Sequence, residues 1–215
     1  MPTGDIQRLT DALLTLFPSP PPETGEAWDG NNALNVLDCV LSLNRPYDRF
    51  VLPRVRDFAS KHADVSMVSG LQQVMSLCGS PADFLAAELR YKDARRAETL
   101  QGLVHYLIDI QHDFAGSTEK ERLRGWAEWA RPGDFASTGV SGFGLAGFQY
   151  LRLLFGANTA KPDRWICKFV SDSIGRKVGP VEALYLLERA VKRTNFRIRD
   201  IDSAIWNGAA WGAED

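Results

Sequence analysis

Two short stretches carry residues that could do chemistry. The first is Pro162-Asp163. Proline fixes φ at a value that suits the entry to a helix, and Ile166, Phe169 and Val170 follow at helical spacing. Asp163 therefore reads as a carboxylate at a helix start, facing the partial positive charge found there. A carboxylate so placed can offset positive charge on a reacting centre and position a water molecule. The second stretch is Val140-Ser141-Gly142-Phe143-Gly144, a tight turn ahead of an apolar helix over about 145–155, in which Phe148, Leu151 and Phe155 recur at helical spacing. Gly142 and Gly144 are both expected at positive φ, leaving backbone amides uncovered. Uncovered amides at a helix start form an anion site that suits a phosphate.

Charge is distributed to match. The net charge is −2, so no global basic signature exists, but phosphate contacts need only a basic face. Arg90, Lys92, Arg95 and Arg96 are dense enough to meet phosphates, or they form a solvated helix face. Lys161 and Lys168 flank Asp163 and face phosphate or solvent. Acids gather toward the ends, at Asp5, Glu23, Glu26, Asp29, Glu214 and Asp215. Cys39, Cys78 and Cys167 are far apart in apolar contexts and read as small core residues of a reducing compartment. Neither they nor His62, His105 and His112 form a metal-ligand pattern, so no metal or other cofactor is expected. No apolar run reaches the length of a membrane span. The first residues lack the basic and apolar regions of a signal peptide, so a cytoplasmic location is expected.

The elements that must position these groups read as helices throughout. Ile6, Leu9, Leu13, Leu14 and Phe17 make one stripe of an N-terminal helix. The prolines of 17–25 then form a stiff connector. Asn31 or Asn32 caps a helix that is apolar nearly all round and should be central. Pro46 suits the first turn of the next helix, which carries Phe50, Val51, Val55 and Phe58. Ser80-Pro81 starts one helix, and Asp93 caps another with Ala97, Leu100, Leu103, Val104, Leu107 and Ile108 inward. Thr118 to Glu121 fits a capping box for a helix through Trp126 and Trp129. Gly179-Pro180 starts a helix, and a last one near Asp200 holds Ile201, Ala204, Ile205 and Trp206. No segment alternates at period two, so the fold class is all-α.

Taken together, the hairpin glycines, Phe155-Gly156 and Pro162-Asp163-Arg164-Trp165-Ile166 resemble the helix-hairpin-helix DNA glycosylases, the superfamily that includes endonuclease III. Leu34 to Asn44 looks like that family's buried helix, and Tyr91 to Leu103 is similar to the segment that follows it. The resemblance covers about 31–170, with an echo at Asp202-Ser203-Ala204-Ile205-Trp206. It implies a two-lobed fold: a six-helix barrel over 30–155 that includes the hairpin, and a second helical domain from 1–29 plus 156–215 that completes the active-site cleft. It implies a monofunctional DNA N-glycosylase acting as a monomer on double-stranded DNA containing a modified base, hence associated with the nucleoid. Asp163 would be catalytic, and Val140, Ser141, Gly142, Phe143, Gly144, Lys92, Arg95, Arg96 and Lys168 would meet DNA. Asn44 and the Tyr91-Lys92 turn would fill the gap left by an extruded base, while Trp28, Asp38, Arg45, Tyr47 and Trp206 would wall the pocket. Trp165 stands where the family has His, either as core or as the cleft floor, and Ser141 replaces the hairpin's Pro. The lysine that bifunctional relatives carry falls at Ala146, and no Lys occurs between Gly144 and Gly156. A Schiff base is thus not expected, nor an iron–sulfur cluster, which needs four cysteines. The alternatives are a non-catalytic helix-hairpin-helix DNA-binding protein and a bifunctional glycosylase/lyase.

Overall fold

A computed structural model describes residues 3–208; Glu214 and Asp215 lie outside them. The described residues are helical, with no strand among them, and no helix is long and apolar enough to cross a membrane. They fall into two compact units, one built from 3–25 and 157–208, the other from Glu26–Gly156.

In the first unit, helices α1 (Thr3–Leu16), α9 (Arg164–Ile174), α10 (Pro180–Val191) and α11 (Ile198–Trp206) share one core of Ile6, Leu9, Leu13, Phe169, Val170, Leu187, Ile201 and Ile205. Leu14 departs from the expected stripe and is exposed, because at 100° per residue it sits beside Leu13 but beyond the edge of the buried arc. Asp5 accepts from Arg176 and from Arg8, and the Arg176 guanidinium holds its carboxyl below the usual carboxylate range. The proline connector is tied down where the Thr24 amide donates to Asp200, 2.8 Å.

The second unit is organised around α2 (Asn32–Leu41), every residue of which is buried. Asn31 is its cap, accepting from the Leu34 amide at 2.9 Å. Around α2 lie α3 (Leu52–Lys61), α4 (Val68–Leu77), α6 (Ala94–Ile110) and α8 (Leu145–Leu154), with α5 (Pro81–Glu88) and α7 (Glu119–Trp129) completing the unit. Ser80, Asp93 and Thr118 each cap by a side-chain bond to the residue three on, and Thr118 with Glu121 closes a capping box. Trp126 anchors the far side, edge-on to Tyr106, Phe148 and Phe155, whereas Trp129 is exposed.

One start is misplaced by sequence reasoning. Pro46 precedes a wide π-type turn, Tyr47–Val51, and α3 begins only at Leu52 with Pro53 in its first turn. The π turn adds a residue to the ring and carries Tyr47 and Phe50 to the same corner of the unit, where both find partners. Cys39 is buried, but Cys78 and Cys167 are only partly so; burial pushes both of these thiols up.

Candidate nucleic-acid interface and catalytic carboxylate

The second unit brings four of the singled-out segments to one corner. The hairpin lies between a 3-10 segment, Pro132–Thr138, and α8. Gly142 adopts φ +72°, a conformation that L side chains take only with strain. A Cβ there would meet Thr99 Oγ1 at 3.1 Å. Gly144 does not match expectation: its φ of −98° and ψ of −176° are extended, and a Cβ would meet nothing within 4 Å. Its lack of a side chain has a different consequence. Gly144 is the N-cap of α8 and supplies no cap bond, so side chains leave the first amides of α8 uncovered.

Ser141, Gly142 and Gly144 are exposed and Val140 is half-buried, but Phe143 is turned into the core. It therefore supports the turn from beneath instead of facing a ligand. Its ring lies 6.5 Å from that of Phe148, and Gly147 makes room for Phe143 and Leu43 together. Thr99 on α6 donates to the Ser141 carbonyl at 2.9 Å, locking the hairpin to that helix.

The first turn of α6 carries the basic residues. Lys92 and Arg95 are exposed. Arg96 reaches across to the Leu43 carbonyl at 3.2 Å and so ties α6 to the turn that holds Asn44. Asn44 is exposed at φ +61°, a conformation asparagine tolerates better than most residues. Tyr91 is a correction to the expected gap-filler. Its side chain is 7% exposed, packs edge-on against Phe50 at 4.9 Å and donates to Asp93 at 2.7 Å while accepting from Arg45 at 3.0 Å. That hydroxyl, with the Arg96 amide, holds the Asp93 carboxyl below its ordinary range. The exposed tip of this turn is Arg90, at φ +48°.

Beneath the corner sits Asp38, 1% exposed. Its carboxylate accepts from Trp28 Nε1 at 2.8 Å, Ser42 Oγ at 3.1 Å, Tyr47 OH at 2.7 Å and Tyr150 OH at 2.7 Å. Burial, reinforced by the Asp38 charge, pushes both tyrosine hydroxyls well up, so they stay donors. Trp28 and Asp29 take left-handed backbone angles to deliver the indole. Asp38 therefore fixes three aromatic side chains. Its charge in the middle of an apolar helix was the sequence signal that it needed partners.

In the first unit, Asp163 caps α9. Its Oδ1 accepts from the amides of Trp165 at 2.8 Å and Ile166 at 3.3 Å, and Oδ2 accepts no hydrogen bond among the described residues. The carboxylate is half-buried. Trp165 packs against the unit's core with the Arg164 guanidinium 4.6 Å over its ring. Lys168 is exposed and pairs with Asp172 at 2.6 Å, and Trp206 is exposed on α11. Asp202, which sequence reasoning left without a role, accepts from the Lys161 amide at 2.7 Å. His105 and His112 are both exposed, and the described residues hold no cluster of three potential metal ligands.

Residues 136–210 match a family described as a domain of unknown function (DUF8548). That stretch runs from the hairpin through α8 and Asp163 to α11. No curated protein and no solved structure matches the chain.

Proposed function

We propose that this all-α chain has the two-lobed helix-hairpin-helix glycosylase arrangement and acts as a monofunctional DNA N-glycosylase. It binds double-stranded DNA, takes a modified base out of the stack and hydrolyses its N-glycosidic bond to leave an abasic site. The observation that carries the reading is the division of Asp163's two oxygens. Two helix amides fix Oδ1, and Oδ2 is left to face a substrate. Rupture of an N-glycosidic bond builds positive charge on the sugar. A carboxylate held rigid and half-buried offsets that charge without reorganising. It also orients the water whose oxygen bonds to the anomeric carbon as the base departs.

The hairpin corner supplies the grip on the duplex. The uncovered amides of α8 suit one phosphate, and Lys92 and Arg95 suit its neighbours. Asn44 stands at an exposed left-handed tip beside them, where a side chain can enter the gap left by an extruded base. Position 146 is Ala and α8 carries no lysine, which favours direct attack by water over a Schiff base.

The test is a panel of duplexes, each with one modified base, incubated with the full chain and assayed for abasic sites. Base release from at least one duplex without strand cleavage is the expected outcome. Binding across the panel with no release from any member would assign the chain as a non-catalytic DNA-binding protein, and strand cleavage with borohydride trapping would assign it as a lyase.

A further inference from the structure

Asp163 is reached through a short loop, and that loop is held by α11. We propose that Asp202 is a positioning residue for Asp163: its carboxylate grips the Lys161 amide and thereby sets the turn from which the Asp163 side chain is presented.

The contacts form a chain with no slack. Asp202 Oδ1 accepts from Lys161 N at 2.7 Å. On the other side of the same residue, the Lys161 carbonyl accepts from Asp163 N, also at 2.7 Å. A bond from residue i+2 back to i closes a three-residue γ-turn, here across Pro162, whose ring fixes its own φ. Asp163's backbone is thus set by Lys161 and its carboxylate by the α9 amides, and Lys161 is set by Asp202. A second tie holds the same loop to α11, where Asn158 Oδ1 accepts from the Arg199 amide at 3.2 Å. The Cys167 thiol, 3.8 Å from the Pro162 carbonyl, backs the turn from α9.

Asp202 also feels the charge of Asp163. Its carboxyl is pushed up to about 7, first by desolvation and then by the Asp163 charge, while the Lys161 amide and the Lys161 charge act in the opposite direction. A neutral Asp202 places no second negative charge beside Asp163, and its carbonyl oxygen still accepts the Lys161 amide. The inference deepens the glycosylase reading, on which its catalytic consequence rests, but the positioning itself can be seen without turnover.

The test therefore has two arms on the full chain. In the first, the Lys161 amide is followed by NMR between about pH 5 and pH 9. Its resonance should move with a midpoint near 7, stay flat in Asp202→Asn, and move with a lower midpoint in Asp163→Asn. In the second, single-turnover base release should slow by about 10- to 100-fold in Asp202→Ala, the scale of a misplacement near 1 Å, with duplex affinity unchanged. Asp202→Asn, which keeps the acceptor, should stay close to the wild-type rate. A Lys161 amide whose resonance is the same in the wild type and Asp202→Ala overturns the proposal, as does an Asp202→Ala enzyme of normal rate or an Asp202→Asn enzyme as slow as the alanine variant. If the amide titrates as stated but the wild type releases no base from any duplex, the positioning stands and the glycosylase reading falls.

Discussion

Asp163→Asn separates the cap that this side chain makes from the catalytic role proposed for it. Structurally, the cap uses only Oδ1, through amide bonds of 2.8 and 3.3 Å to Trp165 and Ile166. An asparagine Oδ1 accepts the same two bonds, and Asn caps about as well as Asp. What is lost is the charge at the start of α9, which contributes about 0.3–1 kcal/mol near a helix N-terminus. The fold should therefore weaken by no more than about 1 kcal/mol. Chemically, the loss is far larger, because a neutral amide cannot offset charge on the sugar. Single-turnover base release should fall by roughly two to four powers of ten, the range for removing one electrostatic or acid–base group. Duplex affinity should hold or rise, since a negative charge has gone from the protein. The assay is base release under enzyme excess on the responsive duplex, with affinity measured in parallel. Should the asparagine variant keep the wild-type rate, Asp163 is a cap alone and the mechanism proposed for it is wrong.

The remaining predictions probe other parts of the molecule. Gly142→Ala should weaken binding to any duplex, because alanine at φ +72° is strained by about 1–2 kcal/mol and its Cβ crowds Thr99, whereas Gly144→Ala should leave the fold intact; equal effects in a filter-binding titration would refute the assignment of the two glycines. Replacing Lys92 and Arg95 by alanine should flatten the slope of log affinity against log salt by up to about 1.8 for two phosphate contacts, and leave the saturated rate of base release unchanged. Asp202→Asn should gain stability relative to wild type as pH rises. The folded wild type holds a proton up to about pH 7 that the unfolded chain releases near 3.8, so its stability falls between those values and is flat above them; by pH 8 the gap is at most roughly 4 kcal/mol, readable by urea unfolding at pH 4 and pH 8. Asp38→Ala should cost at least about 3 kcal/mol by the same method, because it strands the hydroxyls of Tyr47 and Tyr150 and the indole of Trp28; a loss under about 1 kcal/mol would mean that the network carries no stability.

What the sequence made legible follows from the range of each interaction. Helix starts at Asn31, Ser80, Asp93, Thr118 and Asp163 depend on a bond from one side chain to an amide two or three residues on, so a few letters suffice to place them. Gly144 was harder: an extended φ and a positive φ look alike in one letter, and the choice depends on how α8 leaves the turn. Tyr91 misled because its neighbours in sequence are charged, while its partners Arg45 and Phe50 arrive from more than forty positions away. Asp202 and Lys161 are likewise 41 residues apart. No periodicity or spacing rule reports such a pair, and only a folded chain brings it together.

The same distinction orders the functional argument. The hairpin corner and the Asp163 turn lie in different units. Thr99, Arg96 and Gly147 set the corner, and Asp202, Lys161 and Pro162 set the turn that carries Asp163. Binding and chemistry should therefore separate in mutants. On the glycosylase reading, changes at the corner should act on affinity and its salt dependence, because phosphate contacts are made equally in the ground and transition states. On the same reading, changes at Asp163, or changes at Asp202 that remove its acceptor, should act on the rate at saturation, because charge on the sugar develops only as the bond breaks. The reading of Asp163 as more than a cap rests on one oxygen accepting two helix amides while the other accepts none among the described residues, and on the tie from Asp202 to the turn ahead of it.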